Sequence, residues 1–305
     1  MRIGIVIFCH KRSDKFKDLL QSLSSNNLTG VNKFYVFQDG LNESASVIDK
    51  IEHKKIRLEW EEFAENENIV DYIYDKKTSN IGLRDSILGG LDFAFGEMDA
   101  LIVLEDDLRL HHLFVDKMIY LLDEYHDNKL IGHVNGWANY QFFKFTFGNQ
   151  MIRTSMMYCW GWATWRGRWL DFRSSDVWTP RKFTLYEVVK YDYFFLARLL
   201  NQLRVNWNSK KRTWAVFWYL HLRVNGLKSV GYAHSLTENA GNDGSGENCK
   251  NIKSPFFAFL TDGKIYRQNK FSENESVVIN LIFSLNLYLW LIFRNAYLLL
   301  RKLTR

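Results

Sequence analysis

Proline and cysteine are scarce in this chain of 305 residues, which contains 2 prolines and 3 cysteines. The cysteines, Cys9, Cys159 and Cys249, lie far apart, so they form neither the disulfide framework of a small secreted domain nor the paired ligands of a structural zinc site. The first apolar run, residues 3–9, is too short for a signal peptide. We therefore expect a folded protein of the reducing cytoplasm.

Acidic residues are absent from residues 276–305, where Arg294, Arg301, Lys302 and Arg305 carry four positive charges. The formal net charge of the whole chain is +6, so these four leave only +2 for the residues before them. Domains that bind nucleic acid concentrate positive charge on their folded body. We therefore expect no nucleic-acid partner.

The same C-terminal segment is strongly apolar, and its polar and cationic residues fall on one side of a helical wheel. This pattern favours an amphipathic helix, within 272–305, that lies in an anionic membrane surface. The alternative is a helix packed on the preceding domain or in a homodimer. We expect a peripheral protein on the inner face of the cell membrane.

Short apolar runs alternate with helical patterns in the first 110 residues. Such alternation is typical of an α/β fold with a mainly parallel sheet covered on both faces. A helix and a strand follow, two further helices are predicted in an aromatic-rich second half, and an acidic run is expected to be a solvated loop and helix start. The predicted strands are 3–8, 33–37, 69–74, 100–104 and 130–134, the helices are 14–23, 86–95, 113–125, 185–203 and 214–224, and the acidic run is 59–67.

Polar residues follow each of the first four predicted strands. Ligands of α/β sheets bind outside the carboxyl ends of the strands, so these segments are the candidate site. They are His10-Lys11-Arg12, Gln38-Asp39-Gly40, Ser79-Asn80-Ile81-Gly82 and Glu105-Asp106-Asp107.

Each of these segments has a functional and a structural interpretation. Adjacent carboxylates at 105–107 suit a hard divalent cation that also binds a nucleoside diphosphate, or else a solvated turn or helix cap. Asp39 could contact a ribose or base, or form an Asx turn. Gly82 permits close backbone approach to a ligand, and Arg84 could bind a diphosphate, although a helix start and a solvated arginine are equally ordinary.

Taken together, six segments resemble bacterial glycosyltransferases of the GT-A fold, in the branch related to N-acetylglucosaminyltransferase I. The resemblance spans about residues 3–250, and its specific parts are the acidic tripeptide and the tryptophan-rich run. The segments are Cys9-His10-Lys11-Arg12, Gln38-Asp39-Gly40, Asn80-Ile81-Gly82-Leu83, Leu104-Glu105-Asp106-Asp107-Leu108, Gly161-Trp162-Ala163-Thr164-Trp165 and the glycine-rich stretch 239–246.

The resemblance implies a metal-assisted transfer from a nucleotide sugar. Asp107 would bind Mn²⁺ or Mg²⁺, with Glu105 and Asp106 nearer the nucleoside and Asp39 near the base. Trp160 and Trp162 would form a platform beside the acceptor, with core packing as the alternative. The other implied donor-binding residues are Cys9, His10, Arg12, Asn80, Gly82 and Arg84.

The sequence departs from this family at the expected catalytic base. Relatives carry an Asp beside the tryptophan matched by Trp214, where this chain reads Lys-Arg-Thr-Trp-Ala at 211–215. Relatives also carry a His where this chain has Glu247-Asn248. We therefore expect the base at Glu238, with Asp243 second because Asp243 could equally be a turn residue.

These features predict an inverting glycosyltransferase of hexosyl type that extends a cell-surface glycan or a lipid-linked precursor. The catalytic domain would span 1–271, with a nucleotide-sugar half at 1–110 and an acceptor half at 111–271. One alternative is an inactive glycan-binding or scaffold protein of the same fold. Another is a sugar nucleotidylyltransferase, which would favour a glycine-rich loop after the first strand, and residues 8–12 contain no glycine.

Overall fold

The computed structural model describes residues 1–138, 150–184, 187, 203, 205–207 and 213–243. The strands in this part of the chain are β1 (Ile3–Cys9), β2 (Lys33–Gln38), β3 (Tyr72–Lys76), β4 (Ala100–Glu105), β5 (Leu108–Leu110), β6 (Ile131–Asn135), β7 (Met151–Thr154), β8 (Trp162–Trp165), β9 (Lys228–Tyr232) and β10 (Thr237–Asn239). The helices are α1 (Ser13–Leu23), α2 (Val47–Asn66), α3 (Leu83–Ala94), α4 (Phe114–Glu124), α5 (Arg166–Arg173) and α6 (Ala215–Val224).

The fold is α/β, with a large and mostly parallel central sheet in the order β3-β2-β1-β4-β8-β6-β9-β7. The first four strands run parallel, and β8 runs antiparallel to both of its neighbours, β4 and β6. Strand β9 is parallel to β6. Strands β1, β2, β3, β4, β6 and β9 therefore end on one side of the sheet, which we call the carboxyl edge.

Burial on both faces explains why β1 is continuously apolar. All seven of its residues are buried. Ile5 and Ile7 pack in a core cluster with α1 and α4, whereas Val6 and Phe8 pack in the opposite cluster with α3 and α6. At about 25 cal/mol per Å² of apolar surface, filling both faces is what stabilises such a sheet.

Helix α2 corrects the interpretation of the acidic run 59–67, most of which forms the last turns of this 20-residue helix. The helix begins at a capping box in which Ser46 and Asp49 exchange hydrogen bonds. Its apolar pattern is blurred because Val47 and Ile48 are exposed while His53 is buried. Composition alone therefore did not separate this helix from a loop.

Strand β3 also differs from its predicted bounds of 69–74, because it spans Tyr72–Lys76. The Ile69 N–H donates to the Ala64 carbonyl at 2.8 Å, and Val70 is 93% exposed. These residues close the end of α2, and pairing with β2 begins only where Tyr72 lies opposite Phe34.

The second half adds a two-stranded antiparallel ribbon of β5 and β10, which brings residues 237–239 against 108–110. The other predicted elements match α1, β1, β2, β4, α3, α4, β6 and α6 within a few residues. The predicted helix 185–203 and the C-terminal helix within 272–305 lie outside the described residues, apart from isolated positions of the former. Within the described part, no helix is long and apolar enough to cross a membrane.

Candidate functional site

Direct backbone contacts join three strand ends at the carboxyl edge. Phe8 lies opposite Glu105, and Cys9 lies opposite Gln38. The Asp39 N–H donates to the Cys9 carbonyl, and the Asp106 N–H donates to the Phe8 carbonyl, both at 3.0 Å. The polar segments that follow β1, β2 and β4 are therefore neighbours, as the strand pattern predicted.

The Arg12 guanidinium bridges two of the three adjacent carboxylates. Its Nη1 donates to Asp107 Oδ2 at 3.0 Å, and its Nη2 donates to Asp106 Oδ1. Burial alone would lower the pKa of Arg12, but the two carboxylates raise it above its ordinary value. Without a ligand its charge is paired with the acidic tripeptide, and the expected contact of Arg12 with the nucleotide or a phosphate stays a prediction.

The acidic tripeptide carries less charge than its composition suggests. Burial is the main cause that raises the pKa of Glu105 to about 8, and the Asp107 and Asp106 charges add to it. Burial also raises the pKa of Asp106 to about 6, although Arg12 opposes that shift. Burial therefore disfavours the ionised forms of both carboxylates, and the charge of Arg12 opposes both shifts.

The Asp39 carboxylate organises the loop that precedes α3. Its Oδ1 accepts the N–H groups of Gly40 and Ile81 at 2.8 and 2.9 Å. Its Oδ2 accepts the N–H of Gly82 at 2.9 Å and the side-chain amide of Asn80 at 3.0 Å. With two donors on each oxygen, the acceptor positions of the carboxylate are used within the protein. Three of the four donors belong to residues 80–82 and the fourth to Gly40, so the bonds do not form an Asx turn, in which the donor lies two residues on. The structure gives this carboxylate a role in the loop, and the expected contact with the base stays a prediction.

The same loop uses the Asn80 side chain in internal hydrogen bonds and leaves the Gly82 backbone open to approach. The Asn80 amide also donates to the Gly40 carbonyl at 3.0 Å, so Asn80 acts within the loop. Gly82 has a φ of 83° at the N-terminal cap of α3, and no described atom lies within 4 Å of where a Cβ would project. A positive φ beside open space leaves the backbone accessible at the start of this helix.

Arg84 lies in the first turn of α3, and its guanidinium lies 5.5 Å from the ring centroid of Trp178. A cation held over an indole face keeps its charge in a defined position. This position neither requires nor prevents the phosphate contact expected for Arg84, which stays a prediction.

Cys9 and His10 make contacts within the protein at the end of β1. The Cys9 side chain is buried in the same core cluster as Ile5 and Ile7, and its Sγ faces the Phe37 carbonyl. Burial raises the pKa of the thiol. The buried thiol faces the core, and the donor-binding role implied for Cys9 stays a prediction. The His10 N–H donates to Asp106 Oδ2 at 3.3 Å, and its Nε2 lies 3.1 Å from the Gly40 carbonyl, so His10 links two strand ends.

Trp162 is not an acceptor platform. Its side chain is 1% exposed and packs among His133, Trp214, Trp169 and Trp218. A buried ring offers no face to a sugar, so the core-packing alternative is correct for this residue. Trp160, the other predicted platform residue, is only partly buried.

Trp137 is a site candidate that the sequence did not single out. Its ring meets those of Tyr158 and Trp160 edge to face, at centroid distances of 4.7 and 4.8 Å. Within the described part of the chain, neither the Trp137 Nε1 nor the Tyr158 hydroxyl has a hydrogen-bond partner, although both atoms are buried. The available signal was its position after the predicted strand 130–134, where β6 ends at the carboxyl edge.

The ribbon connects this aromatic group to the strand that follows the acidic tripeptide, because the Thr237 hydroxyl donates to the Trp160 carbonyl at 2.8 Å and Thr237 lies opposite Leu110. Burial raises the pKa of Cys159 to about 12, with further contributions from the charges of Glu105 and Asp107. Cys159 is the chain neighbour of Tyr158 and Trp160. The Gly136 N–H also donates to the Gly161 carbonyl at 2.7 Å, which ties Trp137 to the same segment.

The two candidate bases lie on and after β10. Glu238 pairs across the ribbon with Arg109, whose pKa is raised first by its hydrogen bond to Asp18 and also by the charge of Glu238. Its place opposite a cationic side chain in the ribbon therefore gives Glu238 a structural reason as well. The Asp243 backbone lies in a 3₁₀ turn, Ala240–Asp243, and its side chain lies outside what the structure describes.

The residues around Asp107 suit a hard divalent cation that takes its other ligands from a substrate. Among the described residues, no group of three His, Cys, Asp or Glu side chains could hold a metal by itself. Asp107 Oδ1 has no hydrogen-bond or ion-pair partner there, and a Cβ on Gly241 would overlap Asp107 Oδ2. A carboxylate oxygen without a partner, next to the closely packed backbone of Gly241, matches Mg²⁺-type sites, which use one or two carboxylates plus substrate phosphates.

No protein-family model matches this chain, and no curated protein matches it. Among solved structures, the chain is similar to the mannosyltransferase PcManGT from Pyrobaculum calidifontis in complex with GDP-Man and Mn²⁺, with a TM-score of 0.39 and 10% identity over 54% of this chain and 45% of that one. It is also similar to S. aureus TarS 1–349, with a TM-score of 0.43 and 9% identity over 79% of this chain and 61% of that one. A second structure of S. aureus TarS has a TM-score of 0.40 and 11% identity over 74% of this chain and 43% of that one. The chain spans less than two thirds of each of these structures, and likeness at this level identifies neither a family nor a reaction.

Proposed function

We propose that this protein is a GT-A glycosyltransferase that transfers a hexosyl unit from a nucleotide-diphospho sugar to a glycan or lipid-linked acceptor in the assembly of a cell-surface polysaccharide. One observation carries the proposal. The carboxyl edge brings together three adjacent carboxylates, a bridging arginine, an ordered loop at a helix N-terminus and a partly exposed tryptophan. These groups supply the charges for a diphosphate and an aromatic surface for a sugar.

The donor diphosphate would lie between the N-terminus of α3 and Asp107. Helix N-termini favour phosphate because their free N–H groups and the helix dipole are positive. Asp39 and Asn80 fix the loop in front of this helix, and Gly82 leaves its approach open. Arg84, held over Trp178, adds a positive charge in the first turn.

Asp107 would hold Mn²⁺ or Mg²⁺, with Asp106 beside it. The cation would offset the charge that develops on the departing nucleoside diphosphate. Arg12 forms ion pairs with Asp106 and Asp107 while the donor is absent. Glu105 would lie nearer the nucleoside.

The acceptor would pack against Trp160, which is only partly buried. Trp137 is 4% exposed and meets the Trp160 ring at 84°, so it would hold that ring in place rather than contact the sugar itself. In an inverting transfer, the acceptor oxygen bonds to the anomeric carbon as the bond to the diphosphate oxygen breaks. A carboxylate takes the hydroxyl proton, and Glu238 is our first candidate for this base, with Asp243 second.

The catalytic domain would span 1–271, and 272–305 would attach it to the anionic inner face of the membrane, where a lipid-linked acceptor is available. Deleting residues 276–305 should move the protein from the membrane fraction to the soluble fraction and leave turnover of a water-soluble acceptor analogue unchanged. Aggregation or unfolding of the truncated protein would assign the segment to the domain core or to a dimer interface.

A thermal-shift panel of UDP, GDP, CDP and dTDP sugars, with and without Mn²⁺, tests the proposal first. A donor present at 100 times its dissociation constant should stabilise the protein by about 2.7 kcal/mol. Slow hydrolysis of the bound donor then separates an enzyme from an inactive glycan-binding protein. Pyrophosphate release from a nucleoside triphosphate and a sugar phosphate would instead identify a nucleotidylyltransferase.

A further inference from the structure

Arg12 lies at the carboxylates that a divalent cation would have to bind. Its guanidinium donates to Asp107 Oδ2 and Asp106 Oδ1 together, so both carboxylates already have a positive partner. Two cations next to one carboxylate repel each other strongly at a partly buried site. A divalent cation at Asp107 must therefore displace Arg12 or bind weakly.

The two carboxylates differ in how readily Arg12 can leave them. The Asp106 side chain is 4% exposed and also accepts the His10 N–H, whereas that of Asp107 is 12% exposed. Loss of Arg12 would leave Asp106 with a hydrogen bond and Asp107 open to solvent and ligand. Asp107 is therefore the carboxylate from which the guanidinium is more easily withdrawn.

The geometry of Arg12 allows such a movement without a backbone change. Its carbonyl accepts the Phe16 N–H at 2.9 Å at the start of α1, which fixes the backbone, while its side chain is 26% exposed. The planar guanidinium can bind two oxygens of a diphosphate in the same bidentate way as it binds carboxylate oxygens. The arginine can therefore exchange a carboxylate for a phosphate.

We propose, on the basis of the function above, that Arg12 is a positioning residue that acts as an internal counter-ion of Asp106 and Asp107, and that the donor diphosphate draws it away from Asp107. The divalent cation then binds Asp107 tightly only when the diphosphate is present. Binding of the two ligands is thereby coupled, and the coupling is reciprocal.

Titration of the full chain with Mn²⁺ alone, followed by the electron paramagnetic resonance signal of free Mn²⁺, tests the first part. Arg12→Gln removes the competing charge and should tighten Mn²⁺ binding at least about fivefold, the lower end of typical coupling between sites. Arg12→Lys keeps a charge that cannot bridge both carboxylates, so it should give an intermediate gain. Arg109→Gln is the matched control, because it removes an equal charge two residues from Asp107 that is bound to Asp18.

Unchanged or weaker Mn²⁺ binding in Arg12→Gln overturns the proposal, as does an equal gain in Arg109→Gln, which would assign the effect to net charge. If Arg12→Gln fails to fold by circular dichroism, Arg12→Lys decides by the same criterion. The nucleoside diphosphate that binds in the panel should strengthen Mn²⁺ binding more in the wild type than in Arg12→Gln, and equal strengthening would exclude the exchange. The proposed function fails separately, if no nucleotide sugar is consumed.

Discussion

The side-chain amide of Asn80 donates a hydrogen bond to the Asp39 carboxylate at 3.0 Å, and this contact joins the end of β2 to the turn that begins α3. The two residues are 41 positions apart in sequence. Their contact holds the N-terminus of a helix in place at the carboxyl edge, so its loss should affect both stability and donor binding.

Asp39→Asn should lower the free energy of unfolding by about 1–3 kcal/mol, because an amide cannot accept all the hydrogen bonds that the buried carboxylate receives. Donor affinity should fall as well, since the start of α3 is no longer fixed. Denaturant unfolding and donor titration measure the two effects. Asp75→Asn, which changes an exposed carboxylate paired with Lys77, is the control and should alter neither quantity appreciably. Donor binding unchanged in Asp39→Asn would remove this loop from the site.

Trp137→Phe should raise the acceptor KM several-fold and leave the donor KM unchanged, because the smaller ring no longer holds Trp160 in place. Phenylalanine also leaves a small cavity at this buried position, so stability should fall by a similar amount in this variant and in the control below. Trp60→Phe is a matched control, because its buried Nε1 also has no partner but lies in the core beside Phe34, away from the carboxyl edge. An unchanged acceptor KM in Trp137→Phe would contradict the aromatic platform.

Stability should decrease below neutral pH, in part through His133. Burial lowers the pKa of this residue to about 3, while its ring accepts the Trp218 Nε1–H and its Nε2 faces the Tyr158 carbonyl, both at 3.0 Å. The unfolded chain binds the proton near pH 6.5, whereas the folded chain does not. The stabilisation is therefore complete above about pH 6.5 and is lost progressively as the pH falls toward 3.

His133→Gln keeps one acceptor and one donor but cannot titrate. Its melting temperature should depend less on pH between 6.5 and 4 than that of the wild type, as measured by a thermal scan at each pH. Other buried histidines contribute equally to both proteins, so the difference isolates His133. Identical pH profiles would show that His133 is not the group responsible.

Glu238→Gln should lower kcat about 10²-fold or more and leave donor affinity nearly unchanged, if this carboxylate takes the acceptor proton. Arg109→Gln removes the positive charge opposite Glu238 in the ribbon without removing the carboxylate, so it should leave kcat within a few-fold of the wild-type value. A similar loss in both variants would assign Glu238 to the ribbon and direct the search to Asp243. Steady-state kinetics at saturating donor distinguishes the outcomes.

The sequence predicted the strand ends that build the carboxyl edge because β1 and β4 are buried on both faces and are therefore continuously apolar. It could not assign partners across the edge. Whether Arg12 faces a phosphate or two carboxylates depends on contacts between residues that are about 95 positions apart. The side-chain bonds of Asp39 were hidden for the same reason.

The tryptophans show a second limit of sequence reasoning. Trp160 and Trp162 look equivalent in the sequence, yet Trp162 begins β8 and is enclosed by core rings, whereas Trp160 precedes the strand. Which aromatic residue faces the site depends on the strand bounds and on packing from α6, which carries Trp218. Helix α2 was missed because several apolar residues on it are exposed, so its spacing did not indicate one buried face.

The most direct test of the central claim is a calorimetric titration of the nucleotide sugar selected by the panel into wild-type protein and Asp107→Ala, with and without Mn²⁺. We predict Mn²⁺-dependent donor binding in the wild type and its loss in Asp107→Ala, with the variant still folded because Arg12 keeps Asp106 as a partner. Binding of the donor and Mn²⁺ by Asp107→Ala with wild-type affinity would contradict the assignment of this edge as the site of nucleotide-sugar chemistry.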